Sequence, residues 1–543
     1  MHTELNSPPS LRQMRLSVCL ILVAVAIVFS AAIRYRLRDM PLERDEGEYA
    51  YAGQLMLEGI PPYALAYNMK LPGIYAAYAA ILAVFGQTPA GIHLGLLLVN
   101  AATTVLLFFL ALRLFGRIAA VGAASSYGLL STSTSVMGFE AHATNFVVLP
   151  ALIGILLLLR ALRSERWPLF FLGGVLSGIA LLMKQHGMFF VLFGVIYLVW
   201  SQWNLKSATV LFRQAGVFLS GAMLPYAATC GLMYRAGVFP QFWFWTVQYA
   251  GEYSKMGLRR AVRALVENSQ VVIGPARLIW ILAAIGMSAM IWNPAARRQS
   301  RFLIAFFACS FLALCPGAYF RPHYYILLLP ATALLAGAAI SAVADKLAAS
   351  DVRRYAVAIP LLIFLICAAF TVLSQRQTYF VLTPDQVVEQ IYGNNAFVPA
   401  VKVADYVREH SPESSRIAVL GSEPEIYFYA DRHSATGYLY MYSLIVHHKY
   451  TARMRDEMMR ELETNLPLYV VYVDVWDDWG GPEGGPELAE FLPRLHAFMD
   501  RSYELVGVAD IGAQTEYVWD GAAQGYQPHS SKAIYVLRRK GSP

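Results

Sequence analysis

Charge is scarce in this sequence. Only 15% of the 543 residues are Asp, Glu, Lys or Arg, against 57% hydrophobic residues and a mean hydropathy of +0.46. That balance excludes a soluble protein of this length and leaves an integral membrane protein. Cysteine is also sparse: Cys19, Cys230, Cys309, Cys315 and Cys367 all fall in apolar runs, and none lies in the polar C-terminal third. A disulfide framework and a CxxC metal knuckle are therefore excluded. There is no Walker A loop, no GxSxG and no HExxH. The net charge of +7 is spread over loops without a long basic tract, so nucleic acid is not an expected partner and a membrane surface is.

Long apolar runs are abundant. Segments of about 20 residues, enough to cross a bilayer, fall near 16–33, 90–112, 117–138, 143–160, 168–183, 187–203, 214–234, 271–292, 302–317, 326–344 and 356–374. The first follows Arg12 and Arg15 like a secretory leader, but no small-residue cleavage site precedes Arg34, so it reads as a retained anchor. The stretch 72–86 reaches only about 22 Å as a helix, which predicts an interfacial or re-entrant segment. Arginines and lysines at 113/117, 160–166, 206/213, 297–301 and 346–354 share one side, which the positive-inside rule makes cytoplasmic. Arg34, Arg36, Arg38 and the basic group 255–263 fall on the other.

After residue 376 the composition becomes that of a soluble α/β module. Helices are expected at "FVPAVKVADYVREH" and "ELAEFLPRLHAFM", strands at 416–421, 467–475 and "AIYVLRR", and a loop at "WGGPEGGPE", 479–487. An odd number of spans places this module on the outer side. The expected fold is a polytopic α-helical membrane protein with about eleven spans and a C-terminal extracytoplasmic α/β domain. The domains are 1–375, with a first outer loop at 34–89, and 376–543.

Four stretches at predicted outer turns carry chemistry-bearing residues. In "LERDEGEYAYAGQ" four carboxylates (Glu43, Asp45, Glu46, Glu48) follow the first span, and Lys70 ends the same loop among Tyr49, Tyr51, Tyr63 and Tyr67. Carboxylates here can serve as a general base or hold a divalent metal, and the lysine can neutralise a phosphate. "MGFEAHATN" offers Glu140 and His142, two apart, able to reach one site only in an extended turn. "LLMKQHG" brings Lys184 and His186; "GAYFRPHYY" brings Arg321 and His323, a phosphate-gripping pair at a membrane edge. Each has a plain alternative: a solvated loop, a polar hairpin tip, a snorkelling lysine, an interfacial aromatic belt. Transporters place polar groups near the bilayer midplane, whereas here they gather at span ends.

The combination "RDEGEYAYAGQLMLEG", "KLPGIY", "GFEAHATN", "LMKQHG" and "RPHYYILLLPA" resembles the GT-C glycosyltransferases of the family 39, protein-mannosyltransferase type, including bacterial members similar to the aminoarabinose transferases of lipid A. The resemblance covers most of residues 10–375, and "VLGSEPEIYFYADRHSATGY" (419–438) looks like the outer domain of bacterial members. It implies an inverting transfer of a sugar from a polyprenyl-phosphate carrier to an acceptor hydroxyl of a glycan, lipid or protein, on the extracytoplasmic face of a bacterial inner membrane. By position it makes Asp45 the base and Glu46 its neighbour, and it turns Tyr49 and Lys70 toward the donor phosphate. Glu140 stands as a second acidic residue. The departing phosphate needs cations, which Lys70, Arg321 and His323 supply, with Lys184 a further candidate. The chain departs from the aminoarabinose relatives at Glu48, where they carry a basic residue, and at Met69, where they carry an acidic one. A divalent metal on Glu46, Glu140 and His142 is the one cofactor candidate. Two other function classes stay open from the residues: a lipid-linked sugar flippase, and a non-catalytic glycan-binding scaffold.

Overall fold

The computed structural model describes residues 14–253, 257–475, 479 and 486–542. The chain forms two compact units. One holds residues 1–37, 93–229 and 254–381; the other holds 38–92, 230–253 and 382–543.

The first unit is helical. Every long apolar run read from the sequence is occupied by a helix, because an apolar run in lipid must satisfy its backbone internally. Among the described residues six helices are long and apolar enough to cross a membrane: Leu16–Arg36, Pro89–Phe115, Ala143–Ser164, Ala208–Arg235, Leu258–Trp292 and Leu329–Ala348. Trp167–Met183, Ser300–Leu312 and Ala358–Ser374 are shorter apolar helices. Small residues let neighbouring helices approach closely. A Cβ added to Gly337 would come 2.4 Å from the Ala119 carbonyl, and one on Gly178 2.2 Å from that of Ala222.

Two boundaries differ from the sequence reading. The run 117–138 is helical only to Ser131, where "STSTS" interrupts it. The Ser133 side chain accepts a bond from the Ser135 N–H, and Met137 takes a left-handed conformation at φ 53°. Hydroxyl side chains that bond the local backbone compete with the helix in this way. The run expected at 271–292 is longer. Its helical course begins at Leu258, and a 3₁₀ turn at Gly274–Ala276 divides it, where Pro275 lacks an N–H.

The second unit groups the chain differently from the domain reading. The first outer loop, which the sequence grouped with residues 1–375, packs in one unit with 382–543. The C-terminal module is built on a six-stranded sheet of β1 (Arg416–Leu420), β2 (His433–Ser434), β3 (Tyr469–Asp474), β4 (Tyr503–Ile511), β5 (Thr515–Trp519) and β6 (Ala533–Arg539). Its order is β2-β1-β3-β6-β4-β5. The β2–β1–β3 part is parallel, and the remaining pairs are antiparallel. Helices Phe397–Glu409 and Pro486–Ser502 fall where the sequence put them. The expected glycine-rich loop lies largely outside the described residues, at 480–485.

Helix Arg44–Leu57 is the element that joins the loop to this module. Its start is written locally: Glu43 caps it, accepting the Glu46 N–H at 2.9 Å, while the Glu46 carboxylate reaches back toward the Glu43 N–H at 3.4 Å. This is a capping box with a glutamate cap, and acidic residues in the first turn suit the helix dipole. The stretch "EIYFYADRHS" (425–434) lies along the helix. Tyr51 stacks on Tyr427 with centroids 5.2 Å apart, and its hydroxyl accepts the Ser434 N–H. Gln54 donates to Asp431 at 2.8 Å.

Candidate active site

The acidic helix and the end of its loop converge. Lys70 Nζ lies 3.0 Å from Asp45 Oδ1 and 2.9 Å from the Tyr49 hydroxyl. Asp45 and Tyr49 stand four residues apart, on one face of the helix, so one ammonium can serve both. The Tyr63 hydroxyl donates to the Lys70 carbonyl at 2.6 Å and holds the loop end in place. Further along the loop, Tyr67 stacks on Trp245 and donates its N–H to Gly437. Burial alone would lower the Lys70 pKa. That is the largest single effect, but the Asp45 charge, the Tyr49 hydroxyl and the other anionic surroundings together outweigh it, and the lysine is held well above its ordinary value.

One turn along the helix, Glu48 is fully buried. Its Oε1 lies 2.5 Å from the Tyr75 hydroxyl and its Oε2 3.0 Å from that of Tyr440. Burial pushes its carboxyl up to about 7, opposed by the Lys70 charge and reinforced by Asp45. Glu43 is pushed up to about 8 by burial and by the neighbouring Asp45 and Glu46 charges, opposed by backbone N–H bonds to its carboxylate. Tyr75 and Tyr440 were not singled out by the sequence. Tyr75 stands at a helical spacing that packing alone would explain, and no spacing rule relates Tyr440 to a residue nearly four hundred positions earlier.

Lys70 is turned toward Asp45 and Tyr49, since an ammonium largely shielded from water requires anionic and hydroxyl partners. Glu46, expected as the neighbour of the base and as a metal ligand, directs its carboxylate to its own helix start. A cavity of about 880 Å³ opens in the same unit, lined by Gln54, Glu58, Asp385, Asp431 and Tyr517 among others.

The solved structure of ArnT from Cupriavidus metallidurans bound to undecaprenyl phosphate is similar at 14% identity and a TM-score of 0.58, covering 96% of this chain and 98% of that one. The archaeal oligosaccharyltransferase AglB from Archaeoglobus fulgidus, in complex with an inhibitory peptide and a dolichol-phosphate, is similar at 13% identity and a TM-score of 0.56, covering 96% and 76%. Residues 70–226 match the family described as dolichyl-phosphate-mannose-protein mannosyltransferase. No curated protein matches the chain in sequence. The fold is GT-C, and residues 70–226 are similar to the protein-mannosyltransferase family.

The family match begins at Lys70 and includes Glu140, His142 and Lys184. In the helical unit of this GT-C chain the remaining sequence candidates gather. His142 sits at the start of helix Ala143–Ser164, after the extended turn that the two-residue spacing required. Its Nε2 lies 3.4 Å from Glu140 Oε2, and its ring stacks on His323 with centroids 4.1 Å apart. Both residues are buried, as is Arg34, which donates to the Gly138 and Ser131 carbonyls and fixes the turn that carries Glu140. Lys184 Nζ lies 4.4 Å from the centroid of the Tyr324 ring. Arg321 lies over Tyr319. The neighbouring His186 is held by the Ala313 carbonyl at 2.6 Å. Glu140 and His142 offer oxygen and nitrogen donors of the kinds that bind a divalent metal. Glu46, the third expected ligand, belongs to the other unit.

Proposed function

We propose that this enzyme transfers a sugar from a polyprenyl-phosphate carrier to an acceptor hydroxyl, with inversion, at the extracytoplasmic face of a bacterial inner membrane. The observation that carries the proposal is the largely shielded Asp45–Lys70 pair on a GT-C scaffold. Displacing a sugar from a phosphate calls for a base on the acceptor hydroxyl and a cation on the phosphate that leaves. Asp45 is the base and Lys70 the cation, with Tyr49 holding the ammonium between uses.

The contact between them sets an order of events. While Lys70 is bonded to Asp45 the carboxylate is a weak base. A donor phosphate that takes over the ammonium leaves Asp45 beside a more distant positive charge and raises its basicity. Binding of the donor thus prepares the base, and the acceptor proton passes to Asp45 as the glycosidic bond to phosphate breaks.

The helical unit carries a separate proposal. Lys184, Arg321 and His323 contribute to donor phosphate binding, and Glu140 with His142 form an acidic centre able to take a divalent metal. The cavity near Gln54, where Glu58, Asp385 and Asp431 stand beside the Phe428 and Tyr429 rings, supports a hydroxyl-rich acceptor such as a glycan.

The test is a transfer assay on the full chain in lipid nanodiscs, with a panel of labelled polyprenyl-phosphate sugars and an envelope extract as acceptor. The expected result is label in the acceptor from one donor, with the anomeric configuration of the product opposite to that of the donor. Retained configuration would overturn inversion, and no transfer from any donor would overturn the proposal.

A further inference from the structure

Glu48 makes its contacts through hydroxyl groups whose protons can be counted. The Tyr440 oxygen lies 2.8 Å from the Arg44 carbonyl and 3.0 Å from Glu48 Oε2. A phenol has one proton to give, and the shorter of the two contacts is to a carbonyl that can only accept. If Tyr440 donates to Arg44, the proton between Tyr440 and Glu48 must come from Glu48. The other carboxyl oxygen, Oε1, accepts from Tyr75 at 2.5 Å.

A neutral chain results: Tyr75 donates to Glu48 Oε1, Glu48 Oε2–H donates to Tyr440, and Tyr440 donates to the Arg44 carbonyl. We infer that Glu48 is a positioning residue held as a carboxylic acid by Tyr75 and Tyr440, and that its neutrality keeps the Asp45–Lys70 pair free of excess negative charge, ready for an anionic phosphate. The second half of this inference rests on the proposed donor; the first rests on the hydrogen-bond geometry alone.

The groups facing Glu48 are consistent with it. Asp45 comes from its own helix, Lys70 from the loop end, Tyr75 from helix Pro72–Phe85 and Tyr440 from the C-terminal module. Two carboxylates and one ammonium would leave a net negative site; a protonated Glu48 leaves an ion pair. Burial acts in the same direction, since it disfavours the charged form of a carboxyl. The C-terminal module thereby becomes part of the reaction centre, through Tyr440.

Two measurements on the full chain in nanodiscs separate the halves. Infrared difference spectra of protein with carbon-13-labelled glutamate, wild type minus Glu48→Gln, are expected to show a carboxylic-acid carbonyl band at about pH 6 that fades by about pH 9. In Tyr440→Phe the band should move to higher frequency, because Glu48 loses the oxygen to which it donates. No band, or a band unmoved in Tyr440→Phe, would overturn the assignment of the proton. In the transfer assay, the donor KM of wild type is expected to rise about tenfold or more over the same pH range while that of Glu48→Gln stays level. Parallel profiles would overturn the charge role. Absence of transfer from every donor would instead retire the proposed function and leave the infrared result to decide the state of Glu48.

Discussion

Asp45 and Lys70 lie 3.0 Å apart, each largely removed from solvent, so the pair responds sharply to loss of either member. Lys70→Ala should weaken donor use by about 1–3 kcal/mol if the ammonium makes a charge-assisted bond to phosphate. The check is donor KM in the purified variant, and unchanged kinetics would remove Lys70 from the site. The buried acids add a pH dependence of stability. Glu43 and Glu48 have pKa values raised to about 8 and about 7 in the folded chain, against about 4.3 when unfolded. Their contribution is complete below the unfolded value and is lost as pH rises through about 7 to about 8. The unfolding temperature, followed by tryptophan fluorescence in detergent, should fall over that interval, and Glu48→Gln should flatten part of the fall. An equal slope in the variant would contradict the raised Glu48. The carboxylates and the lysine were visible in the sequence because acids and amines stand out in an apolar chain. Their partners Tyr75 and Tyr440 were not, since tyrosines are frequent here and only the tertiary fold selects two of them.

Helix Arg44–Leu57 works because it can lie against the C-terminal module without a gap. Gly47 makes this possible: a Cβ there would stand 2.5 Å from the Glu425 nitrogen. Gly47→Ala should therefore displace the helix from residues 425–430 and destabilise the chain by about 1–3 kcal/mol. It should also lower transfer, because Asp45 is two residues away. Thermal unfolding with and without the substitution checks this; an alanine tolerated at full stability would contradict the close packing. Gly437 meets the Tyr67 ring in the same manner, and it anchors the loop that ends at Lys70. Element positions were legible wherever one physical signal dominated. Apolar length gave the membrane helices, and short runs rich in β-branched and aromatic residues gave β1, β3 and β6. Elements whose stability comes from neighbours escaped: two-residue β2 exists only by pairing with β1, and the end of the helix at Ser131 depends on hydroxyl bonds that hydropathy does not register.

At the scale of the molecule, chain order and spatial order part company. The change in composition near residue 376 is real, and the compact units divide at 381/382, but residues 38–92 and 230–253 fold with the later module. Composition follows the solvent around a segment, whereas unit membership follows its packing partners. An amphipathic loop rich in tyrosine satisfies the first test as membrane-associated and the second as part of the α/β unit. The GT-C resemblance, carried by short motifs scattered over residues 10–375, agrees with the fold comparison over 96% of the chain. We propose Asp45 as the base of a polyprenyl-phosphate-dependent transfer. The most direct test compares wild type with Asp45→Asn in nanodiscs, measuring donor binding and sugar transfer on the same preparations. The variant is expected still to bind the labelled donor and to lose transfer; transfer at the wild-type rate in Asp45→Asn would contradict a base role for Asp45.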